Sequence, residues 1–388
     1  MLTDPPGSDV IEVSLFGPGV GESVLVHLGR DNWIVVDCCI DRIDGKIPVL
    51  RYLEEIGVDY ESSVSMIVAT HAHDDHTAGI STLVEKCPSA MFVCSSALTT
   101  EEFFKTLSLD KALELLIRQS AYSEYRKVFE IVRRRSKSGQ VAIRRATELR
   151  NLLSIAADGH NPAVSVVALA PSDHAVTRSI DALARHVAMQ LGTRRRLSSF
   201  DPNEASVALW IEVGDKIILL GADMLNGPVN CGWEGVLTAF QPASDRRASL
   251  FKVAHHGSPG ADYDGVWDRL VGDSPVALLT PYWRGSVRIP GVLDRGRIRS
   301  RADRAFITAT AEPKSPKPVK NVAAQLSQVA QRVRPAYTRC GQIRARSRLG
   351  DTTWKVETFP PAKSLLATKS RYPHLSASGY AIRHYVVP

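Results

Sequence analysis

The chain has 388 residues, a formal charge of +7, 44% hydrophobic and 23% charged residues, a balance that excludes a disordered or fibrous protein. No apolar run is long enough to span a bilayer and the opening residues lack the regions of a signal peptide, so a cytoplasmic protein without membrane contact is expected. Six cysteines without zinc-ribbon spacing read as reduced, buried thiols.

In chain order, residues 10–15 and 23–28 read as strands, the second pairing with 33–36 around a turn at 29–32. The glycine-rich segment 16–23 lacks the Lys-Ser/Thr of a P-loop and no long helix follows, so it reads as a turn. His27, in an apolar strand, is expected to be structural. Asp37 ends a run of Ile and Val, where an unpaired charge is costly; hydrogen bonds that orient the following loop offset that cost. Residues 47–56 have helical spacing, and 65–69 form a strand that delivers Thr70-His71-Ala72-His73-Asp74-Asp75-His76. Three of the chain's eleven histidines lie in this loop. With Asp75 they form a mixed imidazole and carboxylate set that suits zinc, manganese or iron.

A helix over 80–85 and a strand at 91–94 come next, and from 99 to about 153 the periodicity is helical. Between 126 and 150 nine basic residues face two acidic ones, and nine minus two equals the whole excess of +7. Arg133, Arg134, Arg135, Arg144 and Arg145 are the expected nucleic-acid contacts, although a solvated helix face fits the run equally well. Tyr122, Tyr125 and Phe129 are interleaved with them, either to stack on bases or to form a small core. Strands are expected at 164–169 and 203–210, with a helix and basic loop over 178–200 between them. The strand 217–223 ends in Asp223, which reads as a ligand. Another strand leads into His255-His256-Gly257-Ser258, and 276–281 precedes an arginine-rich stretch, 284–304. Residues 311–318 resemble a linker, 319–333 a helix, and 337–346 with 353–359 a late hairpin.

Taken together, His71-x-His73-x-Asp75-His76, the strand 34–37, the strand 217–223 and the segment 251–258 resemble the metallo-β-lactamase superfamily. The His-His-Gly-Ser segment is similar to the branch that includes the hydrolase domain of competence (DNA-uptake) proteins. The resemblance implies an α/β fold, a four-layer αββα sandwich. Its core would span 8–98 and 154–310, with a helical basic insertion at 99–153 and a linker, helix and hairpin at 311–388 completing it. It also implies two divalent ions, zinc or manganese. His71 and His73 would hold one, Asp75, His76 and one of His255 and His256 the other, with Asp223 between and Asp37 and Ser258 in support. His255 is the expected ligand and His256, with Asp75, the expected catalytic group, although the motif admits either order. Many relatives have a third histidine where this chain has Ala170; His160 and His174 are the nearest alternatives.

The implied activity is metal-dependent hydrolysis through a metal-bridged hydroxide. The basic regions direct it toward a nuclease or phosphodiesterase acting on nucleic acid or nucleotide. The rivals are a lactonase or thioesterase-like hydrolase and a non-catalytic protein that binds a partner on a hydrolase scaffold.

Overall fold

The computed structural model describes residues 4–19, 21–113, 121–140, 142–158, 161–192, 201–243, 246–284, 286–310 and 339–365. Its strands are β1 (Val10–Gly19), β2 (Gly21–His27), β3 (Trp33–Val36), β4 (Val64–Ala69), β5 (Met91–Ser95), β6 (Ile143–Ala146), β7 (Arg150–Ile155), β8 (Val164–Ala168) and β9 (Leu209–Val213). They continue as β10 (Lys216–Leu220), β11 (Ala248–Lys252), β12 (Val271–Leu279), β13 (Tyr282–Arg284), β14 (Val287–Ile289), β15 (Arg304–Ile307), β16 (Gly341–Arg348), β17 (Lys355–Phe359) and β18 (Lys363–Ser364). The helices are α1 (Pro48–Glu55), α2 (Tyr60–Ser63), α3 (Asp74–Thr77), α4 (Ile80–Lys86), α5 (Glu101–Leu113), α6 (Ala121–Lys137), α7 (Asp173–Gly192), α8 (Gly232–Ala239), α9 (Asp264–Arg269) and α10 (Val292–Arg301).

Two large sheets face each other, in the orders β17-β16-β1-β2-β3-β4-β5-β6 and β18-β15-β12-β11-β10-β9-β8-β7. The two-residue period of a strand explains the layering. Ile34, Val36, Met66 and Val68 point inward and meet Ile218, Leu220, Leu250 and Leu278 of the opposite sheet. Their neighbours Trp33, Val35 and Ile67 point outward under α1, α4 and α6. On the other side Ile217, Leu219 and Phe251 are covered by α8, α9 and α10. Both faces of each central strand are therefore buried, which is why these strands read as continuous apolar runs. The result is the four-layer αββα sandwich.

Within the sheets, β3, β4, β5 and β6 are parallel, as are β10, β11, β12 and β15. The loops after β4, β10, β11 and β12 thus leave carboxyl ends of parallel strands, the usual place for a site in such sheets.

The expectations for residues 143 to about 153 and for the helix from 178 change. The end of the stretch expected to be helical, from 143 to about 153, instead holds the strands β6 and β7, because Ala146 and Leu152 alternate into the core between the sheets. The helix expected from 178 starts at Asp173, while Arg194, Arg195 and Arg196 fall outside the described residues. The expected linker and helix over 311–333 also fall outside them, whereas β16 and β17 form an antiparallel hairpin beside β1. All six cysteines are buried and unbridged. Among the described residues no helix is long and apolar enough to cross a membrane.

Candidate metal centre

Asp37 anchors the imidazole loop from below. Its carboxylate accepts hydrogen bonds from the Thr70 N–H (2.8 Å) and hydroxyl (2.8 Å) and pairs with His76 Nδ1 at 2.7 Å. Thr70 Oγ1 in turn lies 2.9 Å from His71 Nδ1, so one carboxylate sets the orientation of two rings. The glycine-rich turn packs against the same loop: a Cβ on Gly21 would lie 1.5 Å from the Asp75 carbonyl oxygen. Gly21 therefore serves the close approach of the turn to this loop.

The second sheet brings the matching half. Asp223 follows β10 and the two histidines follow β11, and four imidazoles converge on Asp223 Oδ2. The Nε2 atoms of His76, His256, His71 and His255 lie 3.3, 3.5, 3.9 and 3.9 Å from it. Asp75 Oδ2 lies 3.6 Å from His76 Nε2 and 3.4 Å from His256 Nε2. Asp75, His76, Asp223 and His256 offer ligand atoms all within 4.8 Å of one another, and His73 Nδ1 stands 3.1 Å from His71 Nε2.

The donor set fits a divalent ion on its own terms. His76 Nε2, His256 Nε2 and Asp223 Oδ1 are buried without a hydrogen-bond partner, and each such atom costs about 1–3 kcal/mol unless something pairs with it. A cation binding imidazole nitrogen and carboxylate oxygen pairs with all three. The backbone is strained in the same place. Asp37, Ala222, His255 and His256 have φ of 60°, 45°, 45° and 54°, a region that costs non-glycine residues about 1–3 kcal/mol each.

Electrostatics point the same way. Burial works against charge on His256, yet Asp223, Asp75 and Glu22 push its pKa up to about 10. Burial likewise opposes charge on His76, but Asp223, Asp37 and Asp75 hold it well above the imidazole range. Asp223 stays well below the carboxylate range despite its burial because His76 and His256 face it. His71 is held well below the imidazole range by burial and by the His76 charge. The carboxylates thus demand positive charge, and an ion that supplies it must displace protons.

Of the expected residues, His71, His73, Asp75, His76 and Asp223 come together. The two adjacent histidines are placed differently from expectation. His256 Nε2 shares the cluster with Asp75, while half-buried His255 stands at the rim, its Nδ1 3.1 Å from Ser258 Oγ. The left-handed turn at both residues sends the buried ring of His256 inward, its Nδ1 pinned 3.0 Å from the Thr280 carbonyl. His174 is exposed on the first turn of α7, Ala170 is buried in the outer core, and His160 falls outside the described residues. His27 is structural, its Nδ1 2.7 Å from the Val10 carbonyl.

The basic patch lies elsewhere. α6 begins at the centre, where Asp74 Oδ1 accepts the Ala121 N–H at 2.8 Å. Arg133, Arg134 and Arg135 lie at its far end, about 20 Å away at 1.5 Å per residue. Arg135 is no surface contact at all: it is 8% exposed and donates to the carbonyls of Val84, Ala90 and Cys87. Arg134 pairs with Glu85, Arg144 donates to the Leu152 carbonyl, and Arg145 is exposed on β6. Tyr125 is buried against Phe92, Phe103 and Phe129, which makes these aromatics a core; only Tyr122 of the three interleaved aromatics reaches the cleft. In the later arginine-rich stretch Arg297, Arg301 and Arg304 are tied to Asp262, Asp264 and the Trp354 carbonyl.

The cleft over the candidate ligands has a volume of about 340 Å³ and is walled by His73, Asp75, Tyr122, Asn203, Tyr282, Arg284 and Ile289. Tyr282 stacks on His256 at 5.3 Å, and Arg284 hangs over the cleft from the β13–β14 hairpin. Sequence reading assigned no role to Tyr282, Glu22 or Lys252. A lysine within the apolar run Leu250-Phe251-Lys252-Val253 was the available signal, because a charge there must be paired.

Comparison with known proteins covers part of this site. None of the curated proteins compared matches the chain. A solved structure of a mutant of CmlA beta-hydroxylase is 15% identical over 64% of this chain and 36% of its own, with a TM-score of 0.31. The aligned region therefore spans about a third of that protein. Residues 32–118, which hold Asp37 and the imidazole loop, match the family model described as Beta-lactamase superfamily domain.

Proposed function

We propose that the chain is a metal-dependent hydrolase of phosphodiesters, with His71, His73, Asp75, His76, Asp223 and His256 holding two divalent ions. The fold, the match over residues 32–118 and the converging ligand set support a metal-dependent hydrolase. The phosphodiester rests on one observation, the Arg284 guanidinium in the same cleft as the ligands. Divalent ions bound there would acidify water and neutralise charge on the reacting oxygens.

The protein groups do the rest. Arg284 pairs with a non-bridging phosphate oxygen and fixes the substrate's approach. Asp75, partly open to the cleft at 18% side-chain exposure, would orient the attacking water while it helps to hold an ion. Tyr282, stacked on His256, and Tyr122 wall the position of the substrate's remainder. The competence-type branch and nucleic acid as the natural substrate belong to the same proposal.

A lactone or thioester reading is favoured by the modest cleft and by Ala121, Val287 and Ile289 in its wall. The deciding experiment offers manganese- or zinc-loaded protein labelled DNA, RNA, a small aryl phosphodiester, a lactone and a thioester. Phosphodiester turnover that chelator abolishes, and that Asp75→Ala and His73→Ala lose, is the expected result. Turnover of the lactone or thioester alone would overturn the phosphodiester reading.

A further inference from the structure

Behind the ligand cluster lies a buried ion pair that the proposed reaction does not use. Lys252, at the end of β11, is 1% exposed, and its ammonium contacts Glu22 Oε1 closely. Glu22 is equally buried, with Oε1 3.9 Å from His76 Nδ1 and Oε2 3.6 Å from His256 Nδ1. Taking two charges out of water costs several kcal/mol per ion, and apolar residues of similar volume are often as stable in such places. Stability therefore gives no reason for a lysine here.

Its second bond does. Lys252 Nζ donates to the Ala222 carbonyl at 3.1 Å, and the same carbonyl accepts the His255 N–H at 2.8 Å. Ala222 immediately precedes Asp223 and is held at a φ of 45°. One carbonyl thus joins the turn that carries Asp223 to the turn that carries His255 and His256. The ammonium is the clamp on that joint, and Glu22 fixes the ammonium.

We propose that Lys252 is a positioning residue of the metal centre, a resident cation that locks the strained Ala222 turn so that Asp223 faces all four imidazoles. This rests on the metal-centre reading above. Supporting groups of metal ligands are commonly worth 10- to 100-fold in metal affinity.

The test measures zinc affinity by competition with a chromophoric chelator, with far-UV circular dichroism to establish folding. The variants are Lys252→Met and the double variant Lys252→Met with Glu22→Gln, which leaves no unpaired buried charge and decides the matter if the single variant does not fold. At least tenfold weaker zinc binding is expected in both, because both lose the donor to Ala222. Wild-type affinity in the double variant would show that Lys252 only neutralises Glu22 and would overturn the proposal, as would wild-type affinity in a folded single variant. A wild-type chain that binds no zinc removes the centre itself, and this role with it.

Discussion

The arginines at the C-terminal end of α6 and Arg284 of the β13–β14 hairpin come from two basic stretches of the chain, and the fold separates their work. α6 touches the centre with its first residue and carries Arg133, Arg134 and Arg135 about 20 Å away, where Arg135 closes off carbonyls at the end of α4 and the start of β5. Arg284 opens a second arginine-rich stretch, and it alone of the two groups lines the cleft with His73, Asp75, Asp223 and His256. Charge density along a chain says nothing of distance from a site. Helix length and strand direction supply that distance.

The largest effect that tests this contrast is on stability. Arg135→Ala removes charged hydrogen bonds to the carbonyls of Ala90, Val84 and Cys87, the last two of which keep a backbone donor, and should cost about 3 kcal/mol, read as a lower midpoint in urea, while turnover per folded molecule stays unchanged. Arg284→Ala should do the reverse. Loss of a charge-assisted hydrogen bond of about 2 kcal/mol lowers kcat/KM for a small phosphodiester roughly 30-fold, with the urea midpoint unmoved. If Arg284→Ala left kcat/KM unchanged, the contrast would break, and with it the phosphate role.

How much of this was legible in the chain follows from which interactions are local. The strand periods, the imidazole loop and the aspartate after β10 are local patterns, and the sandwich brings the loop and the aspartate together. The roles of His255 and His256 were not legible, because a left-handed turn at two non-glycine residues decides which ring points inward. Arg135 misled for a related reason. Its partners Val84, Cys87 and Ala90 are 45 to 51 residues earlier, and only the packing of α6 across α4 brings them together. Glu22 and Lys252 pair across 230 positions and were visible only as charges in apolar company.

A pH series sharpens the same comparison, since arginines stay charged at any working pH whereas imidazoles exchange protons for a metal ion. His256 is raised to about 10 and His76 well above its ordinary value, and both must be neutral to bind an ion. Below those values metal binding competes with protons, so affinity should rise with pH between 6 and 9, about tenfold per unit for each proton displaced. Calorimetry in buffers of different ionisation enthalpy counts those protons. An affinity flat over this range would mean that the imidazoles are already neutral without the ion.

The smallest expected effect concerns the surface arginines themselves. The Arg134–Glu85 pair is exposed on both sides and contributes about 0.5 kcal/mol or less. A variant with Arg133, Arg134 and Arg145 all changed to alanine should keep its urea midpoint and hydrolyse a small phosphodiester within about twofold of the wild type. The informative substrate is a long single strand. Stacked at about 3.4 Å per nucleotide, a strand must extend about six nucleotides beyond the cleft before it reaches the arginines at the end of α6. Short oligonucleotides should therefore show the same salt dependence of kcat/KM in wild type and variant. A slope that flattens in the variant only for longer strands would make the remote patch a docking track for polymer, and the two groups of arginines would then serve one substrate.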